Sequence, residues 1–221
     1  MTPDRAFFAA FLDLRDRLAL VVGGGRVGEA KVRTLLRSGA RVRVVAPVLC
    51  EGLQQLGRDG EVEHRAHRFE PADMEGASVA IAATDDADAN AAVASAARER
   101  GIAVNVADDP SLSTFIMPAV VDRGPIQVAI STGGASPVLA KRLAALVEAA
   151  VPEEFARLAA FAAGYREAVK QRFGDVAARR DFWERVLDGD IARLVLAGRE
   201  DEACALIEAE LAPPPPFPPA A

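Results

Sequence analysis

Residues 18–28 read LALVVGGGRVG, and this stretch decides the fold. Its first five residues are apolar without alternation, a pattern typical of a parallel β-strand that is buried on both faces. Gly23, Gly25 and Gly28 then follow the G-x-G-x-x-G spacing and lead into a helical pattern. In such a turn the first glycine lets the chain reverse, the second lets the backbone approach a pyrophosphate, and the third lets the helix pack closely on the strand. The stretch therefore predicts a dinucleotide-binding turn.

Composition narrows the class of protein. The 221 residues are 51% hydrophobic, which supplies a core and argues against disorder. The net charge of −6 provides no basic surface for nucleic acid or anionic lipid. No apolar run reaches the roughly 18 residues of a membrane span, and we expect no signal peptide in residues 1–16. Cys50 and Cys204 form no C-x-x-C motif, so we expect unpaired thiols and a cytoplasmic protein.

Strands and helices alternate through the first half of the chain. After the glycine turn the patterns favour, in order, a helix at 28–37, a strand at 41–45, a helix at 51–58, an edge strand at 62–67, a strand at 78–83, a helix at 87–100 and a strand at 102–107. This order predicts an open, mostly parallel sheet. In such folds a carboxylate after the second strand commonly binds the adenosine ribose. This chain has Ala46, Pro47 and Val48 at that place. The motif therefore leaves both NAD and NADP open.

Polar residues follow the later strands of this sheet. Thr84 and Asp85 could cap the next helix or contact a cofactor, because ligands of open α/β sheets bind at the carboxyl ends of the strands. Asp108 and Asp109 follow the strand at 102–107. An aspartate there is a candidate general acid or base, although Asp-Asp-Pro is also ordinary turn sequence.

The two histidines, His64 and His67, lie three residues apart on the predicted edge strand. At that spacing their side chains point to opposite faces of the strand. We therefore expect solvated side chains rather than a shared metal site, and the sequence predicts no set of metal ligands.

The pattern changes after residue 113. Residues 115–130 read as two strands joined by the turn Asp-Arg-Gly-Pro, which predicts a hairpin. The sequence STGGASP at 131–137 precedes a helix at 138–150, with Ser136 as the expected cap and Pro137 in the first turn. This second glycine-rich loop either binds an anion, such as a carboxylate of a ligand, or only connects two elements. Residues 152–211 show helical periodicity.

Five motifs in this order resemble the dehydrogenase and ferrochelatase module of siroheme synthases. They are GGGRVG at 23–28, AIAATDD at 80–86, NVAD at 105–108, FIMPA at 115–119 and STGGASP at 131–137. The resemblance implies oxidation of precorrin-2 to sirohydrochlorin with NAD as the hydride acceptor. In bifunctional members ferrous iron is then inserted to give siroheme. It also implies a homodimer in which the hairpin region and the helical part pack against the partner.

The resemblance also assigns roles to individual residues. It implies that Asp108 is catalytic, and the chemistry agrees, because oxidation removes a hydride and a proton and one carboxylate near the nicotinamide can accept the proton. The implied cofactor-binding residues, including those of the glycine motif, are Gly23, Gly25, Arg26, Val27, Gly28, Pro47, Val48 and Thr84. The implied substrate-binding residues are Asn105, Thr132, Gly133 and Gly134. The acetates and propionates of such a substrate need donors, and residues such as Arg123 or Lys141 are candidates besides the glycine-loop amides.

Together these observations predict an α/β protein. A Rossmann-like parallel sheet forms an NAD-binding domain at 1–113, a small α+β region with the dimerisation hairpin and a helix covers 114–150, and a helical domain covers 151–211. Residues 212–221 are expected to form a proline-rich tail or linker.

The leading functional hypothesis is an NAD-dependent precorrin-2 dehydrogenase that also acts as a sirohydrochlorin ferrochelatase. The alternative is a non-enzymatic NAD-sensing module, which would bind the dinucleotide but no tetrapyrrole. A generic dehydrogenase of small substrates would leave the second glycine-rich loop without a role. Larger siroheme synthases continue into a methyltransferase domain, so we expect no methylation activity from these residues.

Overall fold

The computed structural model describes residues 7–212. The chain divides into two compact units, Met1–Met117 and Pro118–Ala221. The expected extended tail at 213–221 lies outside the described residues. No helix between residues 7 and 212 is long and apolar enough to cross a membrane.

The first unit contains a five-stranded parallel sheet. Its elements, in chain order, are β1 (Leu18–Val22), α1 (Arg26–Arg37), β2 (Arg41–Val45), α2 (Glu51–Arg58), β3 (Val62–Arg65), a 3₁₀ turn (Pro71–Met74), β4 (Ala77–Ala82), α3 (Ala87–Glu99) and β5 (Ala103–Val106). The strand order is β3-β2-β1-β4-β5, and every neighbouring pair is parallel. The predicted Rossmann-like sheet is confirmed. All five strands present their carboxyl ends at the same edge.

Strand β1 is central in this sheet and is buried along its whole length. Ala19 and Val21 pack into the core beneath α1 and α2, whereas Leu20 and Val22 pack into the core beneath α3. Successive side chains of a strand point to opposite faces, so a strand that is covered on both faces needs an apolar residue at every position. The run at 18–22 therefore shows no alternation.

The segment after β5 supports the open edge of the sheet through side chains. The Ser113 hydroxyl accepts a hydrogen bond from the Val106 amide at 2.9 Å, and the Thr114 hydroxyl accepts one from the Val104 amide at 2.8 Å. These bonds satisfy backbone groups of β5 that a further strand would otherwise pair.

The predicted strand at the start of the hairpin was wrong for residues 115–118. Phe115 and Met117 pack against the core of the first unit, and the Phe115 carbonyl accepts a hydrogen bond from the Asn105 side chain at 3.1 Å. These contacts hold the segment on the sheet, so the first unit extends to Met117. The hairpin itself begins at Ala119.

The second unit combines a two-stranded hairpin with five helices. Its elements are β6 (Ala119–Arg123), β7 (Ile126–Ile130), α4 (Pro137–Ala150), α5 (Glu154–Arg172), α6 (Val176–Asp188), α7 (Asp190–Leu196) and α8 (Glu200–Leu211). The two strands pair in antiparallel register, with Val121 opposite Val128. The predicted cap of α4 is confirmed, since the Ser136 hydroxyl accepts a hydrogen bond from the Leu139 amide at 3.1 Å. A separate core around the fully buried Phe182 holds the helices α5 to α8 together.

Candidate functional site

A cleft of about 740 Å³ opens at the carboxyl edge of the sheet in the first unit. We call it the sheet-edge cleft. It is formed by the ends of strands β1 to β4 and the first turns of α1 and α3, and its lining residues are Val22, Gly23, Gly24, Gly25, Arg26, Val27, Val45, Ala46, Pro47, Val48, His67, Arg68, Phe69, Ala83, Thr84, Asp85, Asp86, Asp88, Ala89 and Ala92.

The glycine turn forms the floor of this cleft, and crowding explains two of the three glycines in the G-x-G-x-x-G motif. Gly23 has a φ of +127°, and a Cβ there would overlap the Ala83 carbonyl at the end of β4. A Cβ at Gly28 would overlap the Gly23 carbonyl, so this glycine lets α1 pack directly on the turn. These positions match the first and third roles that the spacing predicts.

Gly25 differs from its neighbours because space is open where its Cβ would stand. It is the N-terminal residue before α1, and no side chain caps the first amides of this helix. Uncapped N–H groups at a helix N-terminus bind phosphate groups, helped by the positive end of the helix dipole. The residues present therefore fit the pyrophosphate of a dinucleotide. Arg26 and Val27, both exposed, line the same opening.

The loop after β2 forms the next wall. Val48 is 76% exposed and lies with Pro47 in the cleft. A hydrogen bond of 2.7 Å from the Cys50 amide to the Gly24 carbonyl ties this loop to the glycine turn. The wall is apolar and carries no carboxylate, as the sequence predicts for Ala46, Pro47 and Val48.

Thr84 lies at the end of β4, with its side chain held in place. Its hydroxyl donates a hydrogen bond to the Asn90 Oδ1 at 2.8 Å, and the Asn90 Nδ2 donates one back to the Thr84 carbonyl at 2.9 Å. The sequence analysis missed Asn90, which is 9% exposed and lies on the inner side of the first turn of α3. The sequence alone does not mark an amide six residues after Thr84 as its partner, because that requires knowing where α3 begins.

The expected cap of α3 was wrong by one residue. The Asp86 carboxylate, rather than Thr84 or Asp85, accepts hydrogen bonds from the amides of Asp88 and Ala89, both at 3.0 Å. The Thr84 hydroxyl bonds instead to the Asn90 side chain and to the Asp86 carbonyl. Asp85 is exposed and lines the cleft.

Residues 67–69, which follow β3, form a wall that the sequence analysis also missed. His67, Arg68 and Phe69 all line the sheet-edge cleft, although His67 is exposed as expected. Strand β3 ends at Arg65, so His67 lies beyond the strand, and the expected strand spacing of the two histidines was wrong. The signal was available, because the rule that ligands bind at the carboxyl ends of parallel strands applies to β3 as well.

A buried carboxylate fixes the segment that carries this wall. The Asp73 side chain is 2% exposed and pairs with the Arg65 Nη1 at 2.9 Å. Its Oδ2 accepts a hydrogen bond from the Glu70 amide at 2.9 Å. The His67 Nε2 lies 3.6 Å from Oδ1, the oxygen that Arg65 contacts. A buried carboxylate needs hydrogen-bonding or charged partners. The partners of Asp73 lie at the two ends of the loop between Arg65 and Glu70, so they hold this loop in place.

Asp108 and Asp109, which follow β5, have different structural roles. The Asp109 carboxylate accepts hydrogen bonds from the hydroxyl and the amide of Ser111 at 2.6 and 2.9 Å, and these bonds hold the pKa of Asp109 below its ordinary value. Asp109 therefore builds the turn. Asp108 is exposed and has a φ of +64°, a left-handed conformation that is rare outside glycine and concentrates at functional sites.

Asn105 lies within β5 and is 8% exposed. Its Nδ2 donates the hydrogen bond to the Phe115 carbonyl, so the side chain ties β5 to the segment after it. Asn105 precedes Asp108 by three residues, and its contact with Phe115 joins β5 to the segment that follows the turn of Asp108 and Asp109.

The second glycine-rich loop belongs to the second unit. Gly133 and Gly134 have φ values of +63° and +87°, and the space around both is open. The Thr132 hydroxyl bridges the loop, since it accepts a hydrogen bond from the Ser136 amide at 3.1 Å and donates one to the Ser136 carbonyl at 3.2 Å. The loop is thus preformed, with its glycine backbone accessible.

Arg123, an expected donor to substrate carboxylates, has partners within its own unit. Its guanidinium donates a hydrogen bond to the Val151 carbonyl at 3.1 Å and pairs with Glu148 at 3.3 Å, and its side chain is 13% exposed. This contradicts the expectation for Arg123, because the guanidinium joins the hairpin to the end of α4. Lys141 is exposed.

Among residues 7–212 no group of three or more His, Cys, Asp or Glu side chains could hold a metal ion. The sheet-edge cleft offers helix amides, a hydroxyl and two arginines, together with the carboxylates of Asp85, Asp86 and Asp88 on its β4–α3 side. Uncapped helix amides and arginines are groups that bind phosphates.

Three family models match the chain in consecutive segments. Residues 10–119 match a putative NAD(P)-binding family, residues 123–149 match the central region of a sirohaem biosynthesis protein, and residues 154–211 match the dimerisation region of sirohaem synthase. The region described as dimerising therefore begins after α4.

Curated relatives at about half identity carry the same name. The chain is 50% identical over 204 residues to a siroheme synthase of Chromobacterium violaceum, covering 92% of this chain and 43% of that protein. It is 48% identical over 209 residues to a siroheme synthase of Nitrosospira multiformis, covering 93% and 44%. The chain thus spans less than half the length of these relatives.

A solved structure matches nearly the whole chain. It is SirC, a precorrin-2 dehydrogenase, with a TM-score of 0.72 and 26% identity, covering 92% of this chain and 100% of that one.

Proposed function

The chain belongs to the family formed by the N-terminal modules of siroheme synthases, and we propose on this basis that it oxidises precorrin-2 to sirohydrochlorin with NAD. The solved relative of matching length is named a precorrin-2 dehydrogenase, which supports the same reaction for this chain. The single observation that carries the proposal is Asp108, an exposed carboxylate on strained backbone at the carboxyl edge of a dinucleotide-binding sheet.

The sheet-edge cleft would hold the cofactor. The amides that open α1 would bind its pyrophosphate beside Gly25, with Arg26 adding a positive charge. Pro47 and Val48 would cover the adenosine end, and Thr84 would lie toward the nicotinamide. When bound, NAD supplies an acceptor for a hydride.

Asp108 would act as the base that accepts the proton. Removing two hydrogens from precorrin-2 as a hydride and a proton leaves the proton for a base of the protein. The carboxylate of Asp108 is exposed, whereas the carboxylate of Asp109 is engaged in its turn. Asn105 would fix the position of this turn through its bond to Phe115.

The loop of Thr132, Gly133 and Gly134 would contact the substrate. Precorrin-2 carries acetate and propionate groups, which need hydrogen-bond donors. Open glycine backbone in left-handed conformation presents amides in the way that anion-binding loops do. With Arg123 engaged elsewhere, Lys141 stays in this proposal as the cationic donor.

The test replaces Asp108 with asparagine and follows anaerobic oxidation of precorrin-2 by NAD. We expect turnover to fall about 100-fold or more, since general-base catalysis contributes factors of this size. The affinity for NAD should stay within about twofold, because Asp108 is not among the residues that line the sheet-edge cleft. The matched control is Asp59→Asn, an exposed aspartate at the end of α2.

Unchanged turnover in Asp108→Asn would remove the catalytic assignment. A wild-type protein that binds NAD but leaves precorrin-2 unoxidised, and whose addition leaves the visible spectrum of sirohydrochlorin unchanged, would instead be the NAD-sensing module.

Iron insertion is a second part of the proposal. Ferrous iron would be a substrate that displaces the pyrrole protons of sirohydrochlorin, and Asp108 could accept them as it does in the oxidation. Adding ferrous iron to the assay above would test this, and Asp108→Asn should slow both steps.

We also propose that the protein is a cytoplasmic homodimer. The matched dimerisation region covers α5 to α8. Cys50 and Cys204 are both unpaired thiols, which fits a reducing compartment.

A further inference from the structure

We infer that Arg68 lets the sheet-edge cleft accept a 2′-phosphorylated dinucleotide, NADP, as well as NAD. This inference rests on the proposed function, because it concerns the adenosine end of the same cofactor site. It makes Arg68 a residue that determines specificity at the ribose 2′ position.

The position of Arg68 follows from the strand register. Strand β3 pairs with β2, with Arg65 opposite Val45, and the Arg65 carbonyl accepts a hydrogen bond from the Ala46 amide at 3.2 Å. Residues 67–69, just beyond this point, line the cleft together with Pro47 and Val48 of the segment that follows β2. In dinucleotide-binding folds this is where a carboxylate binds the ribose 2′-hydroxyl of NAD, or an arginine accommodates the 2′-phosphate of NADP. Arg68 lines the cleft at this place.

The charges of the cleft are divided between its two sides. The carboxylates in its lining, Asp85, Asp86 and Asp88, all come from the loop after β4 and the first turn of α3. The β2 and β3 side contributes Pro47, Val48, His67, Arg68 and Phe69. This side therefore has no negative charge that would repel a 2′-phosphate or select for a 2′-hydroxyl.

The Arg68 guanidinium is free to bind a ligand. Within residues 7–212 it makes no ion pair, whereas Arg65, three residues earlier, is engaged by both Glu63 and Asp73. An arginine that has no carboxylate partner and lines a cleft can form two parallel hydrogen bonds to a phosphate.

The loop that carries Arg68 is also held in position. Asp73 anchors it on both sides, through Arg65 before the loop and through the Glu70 amide after it. The His67 ring contacts the Arg68 carbonyl at 2.7 Å. The backbone of Arg68 is thus fixed before any ligand binds, which lowers the entropy lost on binding.

The test is equilibrium titration of the full chain with NAD and NADP, and with adenosine 2′,5′-bisphosphate against 5′-AMP as probes of the 2′-phosphate alone. The variant is Arg68→Gln, and the control is Arg37→Gln, which removes the same charge at the far end of α1. We expect wild-type protein to bind NADP within about tenfold of its affinity for NAD. In Arg68→Gln the dissociation constant for NADP should rise about tenfold, with that for NAD changing less than about twofold, because only the 2′-phosphate loses a charge-assisted hydrogen bond.

Two outcomes would overturn the inference and leave the proposed function intact. One is wild-type protein that binds NAD but binds NADP about 100-fold more weakly or worse. The other is an equal loss of both affinities in Arg68→Gln, with an unchanged melting temperature, because Arg68 would then bind a group that the two cofactors share. If neither dinucleotide binds to wild-type protein, the proposed function fails as well.

Discussion

At the scale of single residues, the glycine turn separates positions that serve the fold from one that serves the ligand. Gly23, Gly24 and Gly28 have no room for a side chain, because neighbouring backbone or, at Gly24, also a side chain fills the space. Gly25 has open space and uncapped helix amides beside it. The spacing rule predicts three of these glycines. The crowding at Gly24 arises from the Val48 carbonyl, and the sequence does not show that the loop after β2 comes so close.

The turn therefore predicts opposite behaviour for two substitutions. Gly28→Val should lower the free energy of unfolding by about 1–3 kcal/mol, because its side chain would overlap the Gly23 carbonyl. Gly25→Ala should cost less than about 1 kcal/mol, since its backbone φ of −86° suits any residue. The methyl group that Gly25→Ala adds would stand where a pyrophosphate approaches, so NAD affinity should fall about tenfold.

Urea denaturation and NAD titration of both variants would check this pair. A Gly25→Ala protein that binds NAD as tightly as wild type would place the pyrophosphate elsewhere. Gly28→Val with unchanged stability would show that α1 can move away from the turn.

At the scale of the elements, the start of α3 depends on one carboxylate. Asp86 accepts two hydrogen bonds from the first amides of α3, whereas the adjacent Asp85 is exposed and does not cap the helix. Asp86→Ala should therefore lower the free energy of unfolding by about 1 kcal/mol. Asp85→Ala is the matched control, with an expected change within about 0.5 kcal/mol. Chemical denaturation of both variants would measure the difference, and equal effects would contradict the assignment of the cap.

The elements also show how far pattern reading reaches. Strands β1 and β4 and the helices between strands follow from apolar runs and from glycines at their ends, because burial on both faces leaves a direct mark on the sequence. The segment 115–118 has the apolar composition of a strand but packs on the first unit through Phe115 and Met117. Composition does not distinguish a strand from an irregular segment that packs on the first unit, because Phe115 and Met117 would be buried in either case.

Only part of the candidate site was predictable from the sequence, because only some of its residues belong to a recognisable motif. Gly25, which the glycine spacing predicts, and Arg26, which the family resemblance implies, both line the cleft. The wall of His67, Arg68 and Phe69 has no motif, and Asp73 reaches it through the 3₁₀ turn at Pro71–Met74. These contacts join irregular segments, which have no repeating pattern of apolar and polar residues. Only the folded chain shows them.

At the scale of the whole molecule, the two units differ in how they bury their apolar residues. The sheet of the first unit has a core on each face. Helix α4 of the second unit has no buried residue at all, although Leu139, Leu143 and Leu146 follow the spacing i, i+4, i+7. They are 47%, 37% and 68% exposed. A row of exposed leucines on one helix face is typical of a surface that packs against another protein.

We therefore expect α4 to be part of the proposed dimer interface, together with the matched region at 154–211. Leu143→Glu should raise the dissociation constant of the dimer more than about 100-fold, because an unpaired carboxylate buried in an apolar interface costs several kcal/mol. The control is Leu12→Glu in the first unit, since Leu12 is 61% exposed and lies outside both segments. Light scattering after size-exclusion chromatography would show Leu143→Glu near the monomer mass of 23.3 kDa. A Leu143→Glu protein that stays dimeric would restrict the interface to α5–α8, whereas dissociation of Leu12→Glu would move it to the first unit.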